Sequence, residues 1–162
     1  MIKLIFTTII LITAAVSFGQ NSKFNHAYFE LGGNGLFLSL NYERQLIPKA
    51  NIYTHIGFGI YGIKNANFTV PFGIKYLLKL KAHRNFIEFG AGLTYTKADV
   101  KAFAIVDNKS GIPIKVQVFN FIPSVCYRQI LNKNFIFRVG LTPIFNQYDG
   151  IPFIGLSIGK QF

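Results

Sequence analysis

The sequence predicts an all-β protein, an eight-stranded antiparallel up-and-down transmembrane β-barrel. Three observations point there. Hydrophobic residues make up 51% of the 162 and charged ones only 14%, against about 25% charged in soluble domains. Beyond Val16 no apolar run approaches the ~20 residues a membrane-crossing helix needs. Apolar and polar residues instead alternate with period two, in segments punctuated by turn residues, which is the signature of strands. A chain that is too apolar for water and lacks spanning helices can satisfy its backbone in lipid only as a closed barrel.

The N-terminus reads as an export signal over 1–19. Lys3 supplies a positive start, Leu4 to Val16 is apolar apart from threonines, and Ser17-Phe18-Gly19 offers small residues before Gln20. Such a run is short for a spanning helix and fits a signal core. No cysteine follows it, which argues against a lipoprotein anchor. Residues 20–162 suit one domain.

Eight segments carry the alternation: Asn25 to Gly33, Leu36 to Gln45, Asn51 to Tyr61, Asn67 to Lys79, Asn85 to Lys97, Val118 to Ile130, Asn134 to Phe145, and Pro152 to Phe162. Each meets the ~9–11 residues of a tilted spanning strand. In the second, Leu36, Leu38, Leu40 and Tyr42 oppose Ser39, Asn41 and Glu43. In the third, Ile52, Ile56, Phe58 and Ile60 oppose Tyr53, His55, Gly57 and Gly59. The fifth sets Ile87, Phe89, Ala91, Leu93 and Tyr95 against Glu88, Gly90, Gly92, Thr94 and Thr96. The second face is rich in Gly, Ser and Thr with few charges. It would make a poor water-exposed surface and suits the cramped lumen of a small barrel, so the bulky face is expected to meet lipid.

The connections fit an even strand count with both ends in the periplasm. Leu46 to Ala50, Lys81 to Arg84 and Leu131 to Lys133 read as short periplasmic turns. Outside, Asn34-Gly35 reads as a tight hairpin, Gly62 to Ala66 and Asn146 to Ile151 are modest, and a long hairpin projects over about 97–118. Its Lys97, Lys101, Asp107, Lys109 and Lys115 give it a largely basic character, and external loops are where binding is expected.

Phe162 ends the chain with Leu156 and Ile158 at alternate positions behind it, resembling the C-terminal signal that barrel-assembly machinery reads. Lys160 departs from the apolar preference there, although its stem can snorkel to the interface. Glu30-Leu31-Gly32-Gly33-Asn34-Gly35 followed by Leu40-Asn41-Tyr42-Glu43-Arg44 resembles the start of small outer membrane β-barrel proteins of Bacteroidota, with OmpA/OmpX-like architecture. The likeness spans the mature chain. It implies a Gram-negative outer membrane location and a shape, with no particular activity.

On the inward face Glu30, Glu43, Glu88, Lys75, Arg128 and Arg138 are expected to pair, because an unpaired buried charge is costly. Tyr42, Tyr76, Tyr127 and Phe135 point outward near the periplasmic edge as an aromatic girdle. Gly57-Phe58-Gly59-Ile60-Tyr61-Gly62 matches GxGxxG, but no helix follows, so its glycines read as lumen-facing. His26, His55 and His83 show no metal spacing. Lipid-modifying barrels with a serine nucleophile need a histidine and an acid converging at the lipid face. His55 reads as inward and no His-x-Ser pair occurs, so no catalytic residue, metal or cofactor is expected. Cys126 reads as a packed small residue. The formal net charge of +11 would suggest nucleic acid in a cytosolic protein. After export it suits phosphate-bearing lipids and lipopolysaccharide instead. A structural or surface-interaction role is the first expectation, a narrow pore the second, and a lipid-modifying enzyme the third.

Overall fold

In a computed structural model, residues 25–62, 66–81, 84–96, 119–146 and 150–162 are described. The expected export signal, the 97–118 hairpin with its charged residues, and His83 lie outside them. Ten β segments follow in order: β1 (Asn25–Leu31), β2 (Leu38–Ile47), β3 (Ile52–Tyr61), β4 (Asn67–Lys79), β5 (Asn85–Thr96), β6 (Phe119–Ile130), β7 (Phe135–Leu141), β8 (Ile144–Phe145), β9 (Gly150–Ile151) and β10 (Ile154–Gln161). Each long strand pairs antiparallel with its neighbour in sequence. The β1–β10 and β5–β6 ladders complete the circuit, so the sheet is a closed eight-stranded barrel. At the seam, reciprocal backbone bonds join Asn25 and Phe162 at 3.1 and 2.9 Å. Among the described residues each of the eight long strands has a neighbour on both sides, which is how a barrel satisfies its backbone without water.

The short segments β8 and β9 keep the register of the hairpin formed by β7 and β10. Leu141 pairs with Ile154 and Ile144 with Ile151, and Thr142 N–H still donates to Phe153 O at 2.8 Å. That register sets Pro143 opposite Pro152. Two residues without an N–H interrupt the ladder at one level, so the single strand expected over Asn134 to Phe145 is broken there and the one expected from Pro152 begins at Ile154.

Outward and inward residues alternate as the pleat demands. The outer face is a belt of exposed Phe, Leu, Ile and Tyr, with Phe68 81% and Phe58 73% exposed. Inside lie His26, Glu30, Glu43, His55, Lys75, Glu88, Arg128 and Arg138, all buried. The hydrophobic pattern is therefore inside out relative to a water-soluble barrel. Glycines make room for this interior. A Cβ on Gly57 would lie 2.6 Å from Leu40 O, and one on Gly59 would lie 2.5 Å from Thr69 Oγ1.

The β1–β2 connection differs from the expected tight hairpin. The ladder stops at Leu31 paired with Leu38, and the Gly32 N–H closes the loop on Phe37 O at 2.8 Å. Between them Gly33–Gly35 forms a 3-10 turn that folds into the bore. Gly32, Gly33 and Leu36 all have positive φ, and Leu36 is fully buried. Leu36 is thus not the first lipid-facing residue of a strand but a plug residue, packed with Ile122, Ile144 and Ile151. The run of glycines supplies the left-handed conformations this inward fold requires.

Candidate functional site

In the half of the bore nearer the termini, six strands bring the six expected charged residues together, one from each. Glu43 on β2 and Glu88 on β5 share Lys75 of β4, whose Nζ stands 2.9 Å from Glu43 Oε2 and 3.3 Å from Glu88 Oε1. Arg128 of β6 spans the same pair: its Nε donates to Glu88 Oε2 at 2.7 Å and its Nη2 lies 2.7 Å from Glu43 Oε1. Its Nη2 also pairs with Glu88. Arg138 of β7 reaches Glu88 Oε1 at 3.2 Å and Glu43 Oε2 at 3.4 Å, while its Nε donates to Ser157 at 2.6 Å.

Glu30 stands at the edge of this group, with Oε1 3.9 Å from Arg138 Nη2. Its other oxygen accepts a 3.3 Å bond from Gly35 N–H, which ties the cluster to the inward loop. Three glutamates face a lysine and two arginines, and every one of the six is buried. Pairing and hydrogen bonding offset the desolvation that an isolated charge would suffer here.

Neighbours that composition alone does not single out complete the cluster. His26 faces Glu43 directly across the β1–β2 ladder, with Nδ1 at 2.7 Å from Oε1. The short contact to a carboxylate puts the proton on Nδ1, so the same nitrogen cannot accept from Arg128 at 3.3 Å. Tyr28 accepts from Lys75 Nζ at 2.9 Å, and the Arg138 guanidinium sits 3.8 Å over its ring. Tyr53 stacks on His26 with centroids 5.5 Å apart. The usable signal was parity: His26, Tyr28 and Tyr53 share the inward face with Glu30, Glu43 and His55.

The opposite half of the bore is closed by the inward loop. Asn34 donates to His55 Nε2 at 3.2 Å, Thr69 Oγ1 donates to Gly35 O at 3.0 Å, and Thr94 Oγ1 donates to Asn34 O. Between loop and ion pairs, a space of about 10 Å³ bordered by Asn34, Ser124, Arg138 and Thr142 has room for a single water at most. Cys126 is buried among the lumen side chains.

Tyr42, Tyr76 and Phe135 are exposed on the outer face and Tyr127 is partly so. Tyr42 donates to Asn25 Oδ1 at 2.9 Å, which fixes its ring beside the seam. Leu156, Ile158 and Phe162 also face outward.

Such a barrel, with a polar filled interior and an apolar exterior, belongs by fold to the eight-stranded antiparallel class. Among solved structures, the N-terminal β-barrel domain of OprF from Pseudomonas aeruginosa is similar, with TM-score 0.59 at 15% identity, covering 88% of this chain and 98% of that one. The outer membrane protein Ail of Yersinia pestis, determined in a phospholipid bilayer nanodisc, is similar with TM-score 0.54 at 8% identity, covering 86% and 98%. At these identities the likeness is one of fold. No protein-family pattern and no curated protein matches the sequence.

Proposed function

We propose that the chain is a small outer membrane β-barrel of a Gram-negative bacterium, exported on its N-terminal signal, with a structural or surface-interaction role. The observation that carries this reading is the inverted distribution of side chains. Three glutamates, a lysine and two arginines lie inside, while Phe, Leu and Ile cover the outside. In water that arrangement would bury charge and expose apolar area at once. In a bilayer each face meets a suitable medium. The two similar folds support it.

On this reading the partners are outer membrane lipids and lipopolysaccharide. The outward Leu156, Ile158 and Phe162 serve as the pattern read by the assembly machinery. Binding to an extracellular ligand falls to the connections away from the termini, the 97–118 segment above all. A bore occupied along its length by ion pairs and an inward loop favours this role over a pore. Planar-bilayer recording tests it. The reading expects no sustained unitary current, and steady conductance steps would replace it with a narrow pore.

A further inference from the structure

The distribution of charge between the two ends is uneven. The six acidic residues are Glu30, Glu43, Glu88, Asp99, Asp107 and Asp149. The glutamates are buried in the lumen, and the aspartates belong to the β5–β6 and β8–β9 connections, which leave the barrel away from the termini. Among the described residues, the rim at the termini therefore carries no Asp or Glu.

The same rim carries six exposed cations. Lys49 lies in the β2–β3 turn, Lys79 at the end of β4, Lys81 and Arg84 in the β4–β5 turn, Lys133 in the β6–β7 turn and Lys160 on β10. They are distributed around the barrel rather than gathered on one side. Their level is set by register: Lys160 pairs with Phe135, and its other neighbour Ala27 pairs with Tyr42. Along the outer wall toward the termini, an apolar belt gives way to a zone of aromatic rings and cations, with no Asp or Glu there among the described residues.

We propose that this rim binds the headgroups of anionic phospholipids in the leaflet it meets, a proposal that rests on the membrane-inserted reading above. The order of side chains follows that of a leaflet, from acyl chain through interface to phosphate. Lysine and arginine stems can lie along the apolar edge while their charged ends reach the phosphodiester. A cationic ring without Asp or Glu side chains attracts net negative headgroups over zwitterionic ones, and salt weakens that preference. Placement of these cations at the edge of the apolar belt favours a lipid over a soluble polyanion.

The test uses the full barrel in nanodiscs of equal phosphatidylcholine and phosphatidylglycerol, followed by native mass spectrometry of the lipids that stay bound. Phosphatidylglycerol should be enriched about fivefold, the ratio one basic residue gives near an anionic surface, and the enrichment should fall with added salt. Combining Lys49→Gln, Lys79→Gln, Lys81→Gln, Arg84→Gln, Lys133→Gln and Lys160→Gln should return the bound lipid to its bulk ratio while leaving incorporation intact. An unbiased lipid complement in the unaltered barrel, or enrichment unchanged in the variant, would overturn the proposal. Binding of inorganic polyphosphate without lipid preference would assign the ring to a soluble polyanion and overturn it too. Failure of the unaltered barrel to enter nanodiscs at all would instead bring down the membrane reading beneath it.

Discussion

Arg128 on β6 and Glu88 on the adjacent β5 are joined by a 2.7 Å bond from Nε to Oε2, and the same guanidinium reaches across the lumen to Glu43 on β2. One side chain thus ties β6 to strands on either side of the bore, at a depth from which water is excluded. Removing it as Arg128→Met leaves two buried carboxylates with one fewer cation. The expected loss is about 3–5 kcal/mol of unfolding free energy, measured by urea titration of the barrel in detergent micelles. Glu88→Gln in the same background should cost much less than it does alone, because the pair acts as a unit. Additive losses would mean that the two are not energetically coupled.

Leu36 carries the inward loop. It is fully buried against Ile122, Ile144 and Ile151 at a positive φ. Leu36→Ala should cost about 2–4 kcal/mol, the ordinary price of a truncated core leucine. Leu36→Gly removes the same contacts but relaxes the left-handed backbone, so it should be no worse than alanine. Equal stability of all three proteins would show that the loop does not pack where it is described.

Gly140 has no room for a side chain. A Cβ there would fall on the Cα of Cys126 and the carbonyl oxygen of Val125, both backbone atoms of the neighbouring strand. Because backbone cannot swing aside, Gly140→Ala should destabilise by at least ~1–3 kcal/mol and Gly140→Val should prevent folding. Retention of the compact, fast-migrating form on unboiled gels by the valine variant would contradict the packing.

Phe58 lies on the outer face, 73% exposed and paired with Leu40. In lipid, Phe58→Arg should cost about 2–4 kcal/mol if the residue lies near the bilayer midplane. At a water-facing position the change would fall within about 0.5 kcal/mol. Unfolding titrations in phospholipid vesicles distinguish the two.

Much of this was legible in the residues because β-structure has period two. Glu43 and Ser39, or Arg138 and Gly140, share a face by parity alone, and the lumen charges followed from that. The turn centred on Asn34-Gly35 even implies the register the structure has, which sets His26 opposite Glu43. Leu36 was misassigned because Leu36, Leu38 and Leu40 continue the outward alternation. Only the tertiary fold shows that the residues from Gly32 to Phe37 leave the ladder and turn inward. The break at Pro143 and Pro152 depends on two segments lying opposite each other, a relation that neither proline states locally. Lys160 looked like a flaw in a C-terminal pattern. Beside the cations of the turns it becomes part of a rim.

The central claim is that this barrel lies in the outer membrane with its apolar face in lipid. Membrane fractionation combined with gel mobility before and after boiling tests it most directly. The account predicts recovery with the outer membrane, resistance to carbonate extraction, and a band that shifts on boiling. Recovery as a soluble periplasmic protein with no shift would contradict it.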